Sequence, residues 1–498
     1  MSNRKQIGIG ALLSYISIAI NILAGLLYTP WMVQQIGKSD YGLYTLANSL
    51  ISLFLVDFGL STATSRYVAK YIAEKNQDKV NNFLGAIYKL YLLIDALILI
   101  ALTVIYFCID NIYLNLTPQE IHKFKTVYII AASFAVVNFP FVTLKGIINA
   151  YEKFIQLKIA DLIYRFLVVG ITVSALVLGY GLYALVSINA IVGLIIIVYK
   201  LIVIKKCTPI NVNIKYSDKT LYKEIFGFSL WTTISVLATR LIFNITPSIL
   251  GVTSNTSAIA VFGIISTIEG YVYLITSAIN GMFMPKISRI YANTDASKNI
   301  TSLLLRVAKF QYALNGLIIV GFTTIGRDFI LEWMGNEYID AYIGILLVII
   351  PGIIYNSLQI ANTALVVEKK VHLQAYVTLI SGVSNVILSV IFSKIWGVIG
   401  SCISIFIAYM IRNILVIYIY KKHMHLDINI VIKKCFIKMG IPIVITIVTG
   451  ILINLRWNSN GLLTIISKSL IITIIYFIIM FFFGLTEDEQ KSLLKQKS

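Results

Sequence analysis

Apolar runs of about 20 residues recur every 30–40 residues along the whole chain. A helix needs about 20 such residues to cross a hydrocarbon core of about 30 Å, where its backbone groups must be satisfied internally. Composition agrees: of 498 residues, 58% are hydrophobic and 13% charged, with a mean hydropathy of +0.86. A soluble chain is nearer about 45–50% apolar and about 25% charged. The pattern excludes a soluble enzyme and implies a polytopic membrane protein.

Fourteen stretches qualify, from 9–33 to 462–484, so the expected fold is all-α with about fourteen transmembrane helices. With the N-terminus in the cytosol, the inside loops hold about 28 Lys and Arg and the outside loops about 6. Both termini are therefore expected in the cytoplasm. Arg4 and Lys5 precede an apolar stretch longer than a cleavable signal core, which predicts a retained first span.

The net charge of +19 would suggest nucleic acid in a soluble protein. Here the basic residues crowd alternate loops, which points to anionic lipid and to no nucleic-acid partner. Cys108, Cys207, Cys402 and Cys435 are isolated, so neither disulfide nor metal is expected. There is no Walker loop, GxSxG elbow or HExxH helix, and the histidines are scattered. No cofactor is expected, and ATP is not the expected driving force. The longest loop, Lys205 to Glu224, is too short for a domain, which argues against a membrane glycosyl polymerase or ligase.

An internal repeat lies at an offset of about 216 residues. Thr29-Pro30 matches Thr246-Pro247, Glu152-Lys153 matches Glu368-Lys369, and Gly181 matches Gly397. Six spans intervene between matched features, an even number, so the halves share an orientation. The expected organisation is a six-helix lobe over 1–224, a second over 225–438, and two further helices with a tail over 439–498.

The run Ile36-Gly37-Lys38-Ser39-Asp40-Tyr41-Gly42-Leu43-Tyr44, with Asp57-Phe58-Gly59-Leu60-Ser61 and Arg66-Tyr67-Val68-Ala69, resembles the N-terminal signature of the polysaccharide-transporter (O-antigen flippase) family. Met284-Pro285-Lys286-Ile287-Ser288-Arg289-Ile290-Tyr291-Ala292 with Asp295 is similar to the loop after span eight in the wider multidrug, oligosaccharidyl-lipid and polysaccharide exporter superfamily. The resemblance implies two lobes around a cavity that opens alternately to each side of a bacterial cytoplasmic membrane. It further implies an undecaprenyl-diphosphate-linked oligosaccharide as cargo, with polysaccharide assembly proteins as possible partners. Within the same fold, a lipid II flippase and a cation-coupled drug or metabolite exporter are alternatives. The surplus of intramembrane cations argues against the exporter. A non-transporting assembly scaffold is the alternative of another class.

Charge inside a span costs at least about 2.5–3.5 kcal/mol, so each such residue needs a partner or a wet cavity. Arg240 and Glu269 fall near the middle of spans seven and eight. Arg240 either holds an anionic headgroup, which guanidinium matches bidentately, or pairs with Glu269. Lys89, Arg165, Arg306, Lys309 and Arg412 lie deeper toward the cytosol, as a cationic funnel for a diphosphate or as snorkelling side chains. Asp161 and Arg165, four apart, are expected to pair locally. Glu269 and Asp95 are the leading candidates for ion coupling, followed by Asp57 and Asp161. Pro140, Pro247, Pro351 and Pro442 predict kinks or hinges, while Trp231, Trp333 and Trp457 suit an interfacial belt.

Overall fold

The computed structural model describes residues 3–216, 219–280, 283–291, 296–457, 461–487 and 490. Among them there is no β-strand. The chain runs through α1 (Asn3–Ile36), α2 (Lys38–Phe54), α3 (Leu60–Ala73), α4 (Gln77–Ile112), α5 (Pro118–Asn138) and α6 (Thr143–Ala150). It continues through α7 (Phe154–Val177), α8 (Leu182–Cys207), α9 (Lys219–Phe243), α10 (Thr246–Thr253), α11 (Thr256–Asn280) and α12 (Met284–Tyr291). Then follow α13 (Ala296–Met334), α14 (Asp340–Ser357), α15 (Gln359–Val367), α16 (Val371–Met424), α17 (Ile428–Val431), α18 (Lys438–Arg456) and α19 (Leu462–Ile479). Asp295 of the second family-like motif lies outside the described residues.

Among the described residues, eleven helices are long and apolar enough to cross a membrane, against fourteen stretches in the sequence. The two counts divide the helices differently. The 54-residue α16 counts once, although Gly397 (φ 56°, ψ −130°) interrupts it with a backbone conformation that side chains resist. The second stretch is cut into α2, of 17 residues, and α3, of 14, by a reversal at Phe58 and Gly59, both with positive φ.

Contacts group the chain into residues 31–260 and a second unit of 1–30 with 261–498, whereas the repeat in the sequence places its boundaries at 224 and 438. Local turns nevertheless recur at the repeat offset. After α6, Lys153 N–H donates to Ile148 O (3.1 Å) with Glu152 at φ 55°. After α15, Lys370 N–H donates to Leu365 O (2.9 Å) with Lys369 at φ 59°. Each is the six-to-one closure of a helix C-terminus through a left-handed residue.

The prolines act differently from one another. Pro247 opens α10, leaving Arg240 O to accept from both Asn244 and Ile245 N–H (3.0 and 3.2 Å) where α9 ends. Its sequence match, Pro30, stays inside the continuous α1. Pro140 sits in the short 3₁₀ turn Phe139–Val142 between α5 and α6, and Pro351 and Pro442 lie inside α14 and α18. In the second unit α18 and α19 pack on α13, where Tyr476 Oη donates to Ala313 O (2.6 Å).

Candidate functional site

A buried arginine enclosed by aromatic rings lies in the 261–498 part of the second unit. Glu269 and Tyr273 are four apart on α11, Tyr355 ends α14, and Tyr409 and Arg412 are three apart on α16. Spacings of three and four put residues on one helix face. Asn413 Nδ2 donates to Pro351 O (2.8 Å), fixing α16 against α14 one turn before Tyr355. The Arg412 guanidinium carbon then lies 3.7 Å from the Tyr355 ring centre and 3.9 Å from that of Tyr409, a cation between two aromatic rings.

Arg412 is 6% exposed, and its Nε is buried without a hydrogen-bond partner. The charge that acts on Glu269 is that of Arg412. Glu269 itself remains partly exposed. A guanidinium so enclosed is held rather than free to snorkel, and each desolvated cation–π contact contributes about 2 kcal/mol. The arrangement offers a carboxylate whose counter-charge is fixed in place.

The five cations expected to form one group occupy unlike surroundings. Lys309 is 8% exposed and Arg412 6%, so neither reaches a headgroup layer from its own helix. Arg306, three residues before Lys309 on α13, is exposed, and so is Arg165 on α7. Lys89 donates from Nζ to Lys215 O (3.3 Å) and Tyr216 O (3.2 Å), which ties α4 to the segment before α9.

Asp161 and Arg165 make no ion pair with each other. Asp161 instead acts on Lys200 of α8, because the α7–α8 packing brings that cation to its face. Asp57 caps α3: both carboxylate oxygens accept from Ser61 N–H (3.2 Å each), and Tyr91 Oη donates to Oδ1. Its motif thus closes the reversal between α2 and α3. Asp95 Oδ1 on α4 is buried with no hydrogen-bond partner.

Arg240 stands in the last turn of α9, half-buried, in a span interrupted four residues later. Within residues 31–260 it makes no ion pair among the described residues. Its proposed partner Glu269 belongs to the other unit. Trp333, expected in an interfacial belt, is 9% exposed, and its Nε1 donates to Leu26 O (2.6 Å).

Two features escaped the sequence reading. Tyr409 could have been found from its spacing to Arg412, whereas Tyr355 lies 57 residues before Arg412 and carries no such signal. The other is Lys468 on α19, with 3% of its side chain exposed, paired with Asp328 (3.6 Å) and donating to Asn454 Oδ1 (2.6 Å). Among the described residues no three His, Cys, Asp or Glu side chains gather as metal ligands.

The fold is similar to that of the lipid II flippase MurJ in an inward closed conformation (16% identity, 94% of this chain and 98% of that one, TM-score 0.75). It is also similar to an inward-facing multidrug resistance MATE family transporter of the MOP superfamily (12% identity, 82% and 96%, TM-score 0.68). A third similar structure is a MOP superfamily transporter from Pyrococcus furiosus, described by the reversed polarity of its binding pocket (14% identity, 82% and 92%, TM-score 0.58). At these identities the likeness is one of fold. No curated protein matches the sequence. The sequence model for "Polysaccharide biosynthesis protein" matches residues 8–291, more than half of the length, and on that match the chain belongs to the polysaccharide biosynthesis protein family.

Proposed function

We propose that the protein is a flippase that moves an undecaprenyl-diphosphate-linked oligosaccharide from the cytosolic to the outer leaflet of a bacterial cytoplasmic membrane, by alternating access driven by an ion gradient. The observation that carries this reading is Arg240, a half-buried cation in an interrupted span that makes no ion pair among the described residues of its own unit. Such a charge is costly unless water or an anionic cargo meets it, and a guanidinium fits diphosphate oxygens bidentately. Family membership supports polysaccharide chemistry, and the MurJ-like fold supports a lipid-linked cargo.

Lys89, Arg165, Arg306, Lys309 and Arg412 were candidates for the same cargo. Exposed Arg165 and Arg306 keep that role here. Lys89, Lys309 and Arg412 are given structural ones. Glu269 and Asp95 take ion coupling, since a carboxylate biases alternating access only by binding its cation more tightly in one state. Asp57 and Asp161 follow them.

Reconstituted proteoliposomes test the reading. Arg240→Ala abolishes flipping of a lipid-diphosphate sugar, while Arg240→Lys keeps part of it because ammonium retains charge but loses the fork. Glu269→Gln or Asp95→Asn leaves slow downhill flipping without response to proton or sodium gradients. Full activity in Arg240→Ala removes the clamp, and intact gradient response in both acid variants removes ion coupling through them. Lipid II, supplied in competition, distinguishes the second reading that the MurJ-like fold favours.

Orientation is tested separately with single cysteines and an impermeant thiol reagent in intact cells. The exposed Asn115 and Asn336 react; Lys75, Lys206 and Lys422 do not, and Thr256, expected on the same outer side, is too buried at 5% exposure to report.

A further inference from the structure

The segment that follows α8 is extended and inverted in polarity. Over Ile210-Asn211-Val212-Asn213-Ile214 apolar and polar residues alternate, and a turn in which Tyr216 N–H donates to Asn213 O (3.2 Å) ends the segment. In a strand-like segment alternate side chains point to opposite faces. The backbone of Asn211 and Asn213 and the side chain of Asn213 bond to α4, while both residues stay exposed. Asn211 N–H donates to Asn81 Oδ1 (3.0 Å), Asn213 N–H to Asn81 O (3.1 Å), and Asn213 Nδ2 to Asn82 Oδ1 (2.7 Å). The apolar Val212 and Ile214 are left 40% and 54% exposed.

Contact with α4 is close enough to need a glycine. A Cβ built on Gly85 would lie 1.9 Å from Asn213 O, so the strap rests directly on helix backbone. Lys89 then holds the far end through Lys215 O and Tyr216 O. From Asn81 to Lys89 the strap therefore follows α4 over about 12 Å, at about 1.5 Å per residue.

Depth follows from the same helix. The apolar run of α4 extends from Leu90 to Ile109, about the number of residues that fills the hydrocarbon core, so Lys89 marks its edge. Ile214, between the levels of Gly85 and Lys89, falls in the layer where acyl chains meet headgroups. Lys205, Lys206 and Lys215 are exposed beside it. Exposed apolar side chains flanked by lysines match an anionic bilayer surface in both polarity and charge.

We propose that residues 208–216 form an interfacial anchor, with Val212 and Ile214 inserted at the acyl–headgroup boundary and the three lysines on anionic headgroups of the same leaflet. The anchor fixes the connection between α8 and α9 to the membrane. It rests on the topology proposed above, which places this loop on the cytosolic side.

Spin labels on the full-length protein in nanodiscs test it. With Cys108 and Cys207 replaced by Ala, labels are placed at Val212→Cys, at Ile214→Cys and, as an exposed control, at Lys75→Cys. Accessibility to oxygen is compared with accessibility to a water-soluble nickel complex. In nanodiscs containing phosphatidylglycerol, the oxygen-to-nickel ratio at Ile214 is expected several-fold above that at Lys75. It falls toward the control when the bilayer is phosphatidylcholine alone, or when Lys205, Lys206 and Lys215 are changed to Gln. A label at Ile214 as open to nickel as the control overturns the anchor. So does one shielded from both reagents, which would mean that protein covers the strap. The ratio reads depth without regard to side, so a failed topology shows only in the thiol-labelling experiment.

Discussion

The two contact units share recurring turns and differ in charge. The turns after α6 and α15 close with the same hydrogen bonds, and helix breaks fall near Gly181 and Gly397 in matched positions. At offsets of 216–217, however, Glu269 corresponds to Leu53 or Ser52, and Arg412 to Ile196 or Ile195. The first unit instead carries Asp57 under Tyr91, where the second has Tyr273. Helix breaks persist in a duplicated frame because a single residue or turn encodes each. An arginine held between two tyrosines needs partners from two helices at once, so it survives in one copy or not at all.

The largest expected effect tests whether the enclosed pair belongs to one unit's framework. Arg412→Met removes the cation that two tyrosines hold and leaves Glu269 without its fixed counter-charge. Stability should fall by about 2–4 kcal/mol, from the loss of two desolvated cation–π contacts. Adding Glu269→Gln should recover only what the carboxylate loses with its counter-charge. Thermal unfolding in detergent measures both, and a fully stable Arg412→Met would show that the two units do not differ in this way.

Legibility in the sequence follows the same division. Spans, repeat and the breaks at Gly181 and Gly397 were readable because hydropathy and glycine act locally. The role of Asp57 in shaping the end of a span was also close at hand, since its donor Ser61 is four residues away. The partner of Glu269 was not, because Arg412 is 143 residues on and no periodicity links α11 to α16. Lys89 looked like a free cation because its acceptors are backbone carbonyls, which every residue carries and no motif marks. Lys309 is buried and Arg306 exposed although they stand three apart on α13, a difference set by the neighbouring helices and not by spacing.

The next effect sharpens the contrast from the other unit. Tyr91→Phe removes the hydroxyl that donates to Asp57 and should cost about 1.5–3 kcal/mol, the range for hydrogen bonds to charged groups. Because Asp57 still accepts from Ser61 N–H, the α2–α3 reversal should persist, with faster amide exchange at Ser61. Unchanged exchange and stability would mean that the capping carboxylate does not depend on Tyr91.

Gly397 and Gly181 allow a direct test of equivalence. Gly397 has φ 56°, whereas Gly181 has φ −96°, which side chains accept. A Cβ at Gly181 would meet nothing within 4 Å. Gly397→Ala should therefore cost about 1–3 kcal/mol from backbone strain. Gly181→Ala should stay within about 0.5 kcal/mol, as for an unconstrained surface change. Equal costs at both sites would make the bend in α16 a property of the repeat rather than of one copy.

The smallest effect asks whether the matched turns are energetically the same. Glu152 and Lys369 are both exposed, both left-handed, and both at the closing position of a helix C-terminus, where glycine is the usual residue. Glu152→Gly and Lys369→Gly each remove a Cβ that crowds the following carbonyl in this conformation. Offset by the added freedom of glycine in the unfolded chain, the gain should be about 0.5–1 kcal/mol at each site. Lys369 adjoins the Glu368–Lys370 ion pair (2.7 Å), which has no counterpart described after α6, yet that pair lies outside the strained torsion. Hydrogen exchange at the amides of Lys153 and Lys370, which close the two turns, reads each gain locally. Equal slowing would assign the turns to backbone geometry alone, while a gain at only one would mean that side-chain charge has entered the energetics of a duplicated turn.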